Sequence, residues 1–204
     1  MKKSRLLFKI TALLMLAVIA LTSLLSCSKP PELAVIKIEI ERLVNASHEV
    51  NSILFGKGLP VDERLSSPYA NYKCVSFETG IFKIDDIKAL AESVYTKGYL
   101  EPIYEVTLEG KYDQVSGSVV KARYMESEGY LLIHAPENDD GKDPNNILGE
   151  STRSYDFSTI KIIKPSRADF VTFTIMSSKD GVSEEITLAV ELTDVGWRLD
   201  YPTY

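Results

Sequence analysis

The chain has 204 residues, of which 45% are hydrophobic and 25% charged, and its formal net charge is −6. This length suits a single folded domain with a substantial core. The acidic balance argues against nucleic-acid binding and against electrostatic docking to anionic lipid.

The first 26 residues have the composition of a secretory signal. Four basic residues lie before position 10, no acidic residue precedes Glu32, and a largely apolar run extends from Ile10 to Leu25. This run is shorter than the roughly 20 apolar residues that a spanning helix needs, and Pro30 and Pro31 follow it. Removal of this segment takes away its four basic residues. Of the 23 basic residues 19 then remain against 29 acidic ones, which gives a net charge of −10.

The end of this segment, Leu24-Leu25-Ser26-Cys27, resembles the lipobox of bacterial lipoprotein precursors. The resemblance implies a diacylglyceryl thioether on Cys27, cleavage before it, and acylation of the new amino group with a fatty acid such as palmitate. Several acyl chains anchor a protein stably, where one is marginal. The alternative is an uncleaved membrane anchor with an incidental cysteine.

This resemblance predicts three parts: a lipoprotein signal peptide at 1–26, a short tether at 27–31 and a single domain at 32–204. We expect the domain to be held at the cell membrane by the lipid on Cys27 and to face outside the cytoplasm. The choice between inner and outer membrane stays open.

The chain has two cysteines, Cys27 and Cys74. Lipidation of Cys27 leaves Cys74 without a second thiol, so no intramolecular disulfide is expected. Cys74 lies in a strand-like run, without a nearby cluster of basic residues to lower its pKa. We therefore interpret it as a buried structural residue rather than a reactive thiol.

The amino-terminal half of the domain has mainly helical periodicity. Between Glu32 and Phe55, apolar residues recur every three or four positions and Gly56 can end the helix, although the alternation from Val35 to Ile40 also permits a strand. The further predictions are a strand at Tyr72 to Thr79, a helix from Ile84 to Val94 capped by Asp85, and a helical turn at Tyr99 to Tyr104 interrupted at Pro102.

The rest of the chain alternates apolar and polar residues, which predicts strands with one packed face and one wet face. The predicted strands are Val119 to Met125, Tyr130 to His134, Thr152 to Ile163, Asp169 to Ser177, Glu184 to Leu192 and Trp197 to Tyr201. Turns are predicted at Glu128-Gly129, Asp180-Gly181 and Asp194-Val195-Gly196.

Helices followed by a long-stranded antiparallel sheet make an α+β order. The long first helix ending in the Asn51–Pro60 segment, the helix at 85–95 and the closing Gly196-Trp197-Arg198-Leu199-Asp200 strand resemble the nuclear-transport-factor-2-like superfamily, including its uncharacterised lipoproteins. The resemblance implies a cone-like domain in which amino-terminal helices pack on a curved antiparallel sheet of about five to six strands. It does not fix an activity.

Candidate pocket residues are His134, Tyr124, Tyr155 and Asp156. His134 ends a strand and could serve as a base, as could the Asp156 carboxylate, while tyrosines could line a pocket. Each also has an ordinary structural interpretation, and no motif assigns a catalytic residue. We therefore name none.

Metal and cofactor chemistry have little support in the sequence. There are two histidines and no His-Glu-x-x-His motif, so we expect no metal site and no cofactor. The loop at 137–150 is rich in side-chain oxygen atoms, which are the ligands that calcium prefers. If Gly141 occupied the sixth position of an EF-hand loop, however, the twelfth position would be Ile147 instead of the required Glu. We interpret it as a solvated loop.

Our first functional hypothesis is a non-catalytic binding or accessory domain that meets an envelope protein or a small ligand. The second is a small-molecule enzyme, isomerase- or dehydratase-like, using His134 or Asp156 in the cone pocket. The third is a structural module that forms homodimers.

Overall fold

The computed structural model describes residues 32–113, 118–136, 146–148, 153–163 and 167–204. In these ranges the chain is α+β, as predicted, with helices and antiparallel sheets. The signal peptide, the tether with Cys27 and most of the acidic 137–150 loop lie outside the described residues.

Three α-helices lie in the described part of the chain, and a single 3-10 turn, Phe77–Thr79, precedes the second. The helices are α1 (Leu33–Phe55), α2 (Ile84–Glu92) and α3 (Lys97–Thr107).

Helix α1 confirms the longest sequence prediction, including its end at Gly56, whose N–H donates to Asn51 O and Ser52 O. Near its start, Ile36 and Ile40 are buried while Val35 and Ile38 are exposed. Burial every four residues belongs to a helix, so the strand alternative for this segment is wrong. Among the described residues, no helix is both long enough and apolar enough to cross a bilayer.

The start of α2 corrects one prediction. The capping residue is Lys83, and the Asp86 carboxylate accepts hydrogen bonds from the N–H groups of Phe82 and Lys83 at 2.9 and 3.2 Å. Asp85 lies inside the first turn instead. A carboxylate there still interacts favourably with the positive end of the helix dipole.

Helix α3 is longer than the single predicted turn because Pro102 does not interrupt it. The Thr96 side chain caps its start by accepting a hydrogen bond from Tyr99 N at 3.2 Å. Pro102 removes one donor, which would have bonded the carbonyl of Gly98. Both residues are exposed, so water can satisfy that carbonyl.

The strands form three separate antiparallel sheets in the described residues, rather than one sheet of five to six strands. Their orders are β1-β5-β4, β2-β3 and β6-β7-β8-β9. The strands are β1 (Tyr72–Cys74), β2 (Lys111–Asp113), β3 (Ser118–Val120), β4 (Tyr124–Ser127), β5 (Tyr130–His134), β6 (Ser154–Ile162), β7 (Phe170–Lys179), β8 (Val182–Thr193) and β9 (Gly196–Leu199).

Three predicted hairpins are confirmed: β4–β5, β7–β8 and β8–β9. The first two each turn through two residues with positive φ: Glu128 and Gly129 in β4–β5, Asp180 and Gly181 in β7–β8. That pairing is typical of a type I′ turn, whose twist matches that of the flanking strands.

The predicted strand at Tyr72 to Thr79 is only half present. Strand β1 stops at Cys74, and the Ser76 side chain caps the 3-10 turn by accepting a hydrogen bond from Glu78 N at 3.3 Å. Gly80 then reverses the chain with a φ of 72°. Local capping therefore ends a run whose composition favours a strand.

The main core lies between α1 and the four-stranded sheet. Helix α1 contacts both β6 and β9, which are the two edges of that sheet. The buried side chains between them include Leu43, Val44, Phe173, Leu188 and Leu199. Alternation along β7 points Val171, Phe173, Ile175 and Ser177 into this core.

A buried polar network joins the carboxyl-terminal tail to α1. Thr203 Oγ1 accepts a hydrogen bond from Asn51 Nδ2 at 2.8 Å and donates one to Ser47 Oγ at 2.6 Å. The Tyr95 hydroxyl donates to Asn51 Oδ1 at 2.9 Å and lies 2.7 Å from Thr203 Oγ1. Ser47, Asn51, Tyr95 and Thr203 are all buried, so each polar group depends on the others for a partner.

We expect Thr203→Val to lower the free energy of unfolding by about 1–3 kcal/mol, since it leaves the Asn51 amide without its buried acceptor. Urea denaturation measures this change. Thr187→Val is the matched control, because Thr187 lies exposed on β8 and should change stability by less than about 0.5 kcal/mol. Equal losses in both variants would contradict the role of the network.

Candidate functional site

Tyr124, the first residue of β4, is completely buried. Its hydroxyl donates a hydrogen bond to Ile53 O and accepts one from Leu59 N, both at 3.0 Å. These bonds fasten the end of α1, and the loop after it, to the three-stranded sheet. Tyr124 therefore has a clear structural task in the core.

His134 is the last residue of β5, where it pairs with Tyr72 of β1. The two rings are tilted, with centroids 4.9 Å apart, and the imidazole is half-buried. The Tyr72 hydroxyl donates to Ala122 O at 2.7 Å, and burial raises the pKa of the Tyr72 phenol. His134 thus lies at a sheet end, beside the start of the acidic loop.

Tyr155 and Asp156 are neighbours on β6 but point to opposite faces of the four-stranded sheet. The half-buried Tyr155 hydroxyl donates to Thr203 O at 2.6 Å, and burial raises the pKa of its phenol. Asp156 is exposed, and its carboxylate accepts hydrogen bonds from Ser158 N at 3.0 Å and Ser158 Oγ at 2.6 Å. These bonds stabilise the bulge at which the β6–β7 register shifts, between Asp156 and Lys161.

The four predicted pocket residues therefore fall into two places. Tyr124 and His134 belong to the three-stranded sheet, whereas Tyr155 and Asp156 belong to the four-stranded sheet. None of them lines the gap between α1 and α2, which is enclosed by apolar residues such as Val50, Leu54 and Ala91 and is too small for water. The two helices leave no room for a substrate at that gap.

An open cleft of about 380 Å³ lies instead beside the β4–β5 turn, and its lining residues are Phe82, Lys83 and the turn residues 126–130. Its volume is within the range of about 300–1,000 Å³ that is typical of ligand sites. The segment between the 3-10 turn and α2 forms one wall, and the hairpin forms the other.

Two aromatic residues of the cleft lining, Phe82 and Tyr130, form a cluster with a third, Phe77, that lies beside the cleft. The Phe77 ring centroid lies 6.2 Å from that of Phe82 and 5.8 Å from that of Tyr130. Phe77 is 51% exposed and Phe82 53% exposed. Single exposed aromatic side chains are common on protein surfaces, but exposed aromatics in mutual contact often mark an interaction site.

The charges around the aromatic cluster are mainly negative. Glu126 and Glu128 line the cleft and Glu78 is exposed beside Phe77, whereas Lys83 is the cation in the lining. Glu126 Oε1 accepts a hydrogen bond from Ile84 N at 2.7 Å, which fixes this carboxylate across the start of α2. Aromatic faces combined with carboxylates provide a favourable environment for a cation such as a guanidinium.

The sequence prediction missed this cleft. Assigning Tyr72 to Thr79 to a strand hid the fact that Phe77 begins a 3-10 turn and lies near Phe82. The available signal was Gly80, since a glycine between two aromatic residues indicates that the chain can reverse there. The partner ring, Tyr130, comes from a hairpin about 50 residues later, which local patterns do not reveal.

Within the described ranges, no group of three or more His, Cys, Asp or Glu side chains is placed to hold a metal ion. Only residues 146–148 of the acidic 137–150 loop are among these. Most of the loop considered for calcium binding therefore lies outside the described residues.

No protein-family model matches the chain, and the search of curated proteins found no match.

The thiol of Cys74 is buried in β1, and burial raises its pKa, with a smaller contribution from the negative charge of Asp62. At neutral pH the thiol is therefore protonated, and the thiolate is the reactive form.

We expect Cys74 to react with Ellman's reagent about tenfold more slowly, or slower still, in the folded protein than in urea. A Cys27→Ser background leaves Cys74 as the single thiol for this measurement. A fast reaction in the native state would contradict the structural interpretation of this residue.

Proposed function

We propose that this chain is a lipid-anchored lipoprotein of a bacterial cell envelope and that its domain is a non-catalytic binding module. The observation that carries the binding role is the aromatic cluster of Phe77, Phe82 and Tyr130 at an open cleft edged by carboxylates. The anchor is supported by the lipobox resemblance at Leu24-Leu25-Ser26-Cys27.

The position of the domain supports the anchor. Helix α1 begins at Leu33, six residues after Cys27. An extended chain spans at most about 3.6 Å per residue, so the domain starts within roughly 22 Å of the lipid attachment. The strongly acidic domain gains nothing from anionic headgroups, which leaves the lipid as the means of membrane attachment.

The occupant that we propose for the cleft is a basic segment of a partner protein in the envelope. Glu126 and Glu128 line the cleft, and the exposed Glu78 follows Phe77 in the chain. An arginine side chain can stack on an aromatic face while its charge meets a carboxylate. The net charge of −10 after loss of the signal would also increase the rate of association with a basic partner.

Two observations favour this role over the alternatives. The two groups named for catalysis lie on different sheets: the Asp156 carboxylate bonds Ser158 in the β6 bulge, and the His134 ring packs against Tyr72 at the end of β5. For dimerisation through the four-stranded sheet, the outer face is unsuitable because it carries ion pairs, including Lys161 with Glu185 at 2.9 Å.

We also propose that the domain is a cone of the nuclear-transport-factor-2-like kind. The support is that one helix, α1, contacts β6 and β9 at opposite edges of the same sheet. A sheet curved around the helix would make such contacts, and the resemblance to that superfamily implies this curvature.

Metabolic labelling with an alkyne analogue of palmitate, in a bacterium that processes lipoproteins, tests the anchor. We expect the full-length chain to incorporate the label and Cys27→Ser to lose it. Cys74→Ser is the matched control and should be labelled like the parent chain. Label that persists in Cys27→Ser, or an unlabelled parent chain beside a labelled reference lipoprotein, would contradict the proposal.

Titration with a hexapeptide of alternating arginine and alanine, followed by NMR, tests the cleft. We expect shifts concentrated at Phe82 and in the turn at 126–130, and two- to fivefold weaker binding for Phe82→Ala, as loss of one cation–π contact of about 0.5–1 kcal/mol predicts. Tyr201→Ala is the control, because Tyr201 is an exposed aromatic elsewhere.

The acidic counterpart of this peptide, with glutamate in place of arginine, should leave the spectrum unchanged. Equal shifts with both peptides, or equal weakening by Phe82→Ala and Tyr201→Ala, would remove the cleft as the binding surface.

A further inference from the structure

The first two turns of α1 expose large apolar side chains. Leu33 is 57% exposed, Val35 51% and Ile38 67%, while Ile36 and Ile40 on the inner face are buried in the core. This end of the helix is thus apolar on its outer face as well as its inner face. A helix that only covers a core has a polar outer face.

The apolar character of the outer face stops abruptly. Helical spacing of three and four residues aligns Val35 and Ile38 with Arg42, Asn45 and Glu49, and the last three are polar and exposed. The stretch from Leu33 to Ile38 covers about 7.5 Å of helix axis at 1.5 Å per residue. Apolar groups of interfacial helices enter a bilayer to a similar depth, about 5–10 Å.

We infer that the amino-terminal end of α1 inserts into the interfacial region of the membrane, with Leu33, Val35 and Ile38 in contact with lipid. The inference rests on the proposed lipidation of Cys27. That modification would hold Leu33 within roughly 22 Å of the bilayer, since six extended residues span no more. The exposed apolar side chains lie at the end of the domain that the lipid would bring to the membrane.

This contact would give the anchor a second component. A lipid on a flexible tether fixes the location of the domain but leaves its orientation free, whereas a helix end in the interface fixes the orientation too. The contact depends on apolar side chains because the acidic domain is repelled by anionic headgroups. Lys37, half-buried among these residues, can extend its ammonium towards the aqueous side.

Nitroxide labels at three positions of α1, of which Ile38 and Asn45 are compared first, test the inference. The full chain is expressed in a bacterium that processes lipoproteins, in a Cys74→Ala background with either Ile38→Cys or Asn45→Cys, and reconstituted into phosphatidylcholine vesicles. Asn45 is the matched control, because it lies on the same face two turns further along. Electron paramagnetic resonance then compares collisions of each label with oxygen and with a water-soluble nickel complex.

We expect the label at Ile38 to collide preferentially with oxygen, as it does inside lipid, and the label at Asn45 with the nickel complex. A label at Val35, introduced as Val35→Cys, should behave like that at Ile38. Equal aqueous accessibility at all three positions, in protein that floats with the vesicles, overturns the inference and leaves the lipid anchor intact. Protein that does not float refutes the anchor, and the inference fails with it.

Discussion

The hydroxyl of Thr203 is the point on which the arrangement of the core depends. This hydroxyl joins the carboxyl-terminal tail to Ser47 and Asn51 on α1 and to Tyr95 just before α3. The backbone carbonyl of Thr203 accepts a further hydrogen bond from the Tyr155 hydroxyl on β6. Buried polar groups are costly unless they are paired. The tail therefore links these four segments and helps to fix where α1 lies against the sheet.

The sequence predicted the elements whose signal is local. The period of α1 and the alternation of β7 and β8 each arise within one segment, so their type and approximate bounds could be obtained from the pattern. The division of the described strands into three sheets could not be predicted, because it depends on pairing between distant strands such as β1 and β5. Helix α3 passing through Pro102 was also missed, since a solvent-exposed position tolerates the lost hydrogen bond.

The candidate site was harder to predict than the fold, for a physical reason. His134 and Asp156 were selected by their chemistry, but a side chain's role depends on its neighbours. The Asp156 carboxylate accepts hydrogen bonds within its own β-bulge, and the Tyr124 hydroxyl bonds two backbone groups in the core. The cleft depends on contact between Phe77 and Phe82 and a hairpin that follows about 50 residues later. Local sequence patterns do not predict that contact.

The two proposed surfaces are linked through α1. At 1.5 Å per residue, its 23 residues extend about 34 Å, so a helix that stands with Leu33 in the interface carries Phe55 far from the bilayer. The bonds of Tyr124 to Ile53 and Leu59 attach β4 to that distant end. The β4–β5 turn begins about 10 Å further along the strand. On the proposed anchoring, with α1 standing upright, the cleft therefore lies well away from the bilayer, where a basic partner can reach it without touching lipid.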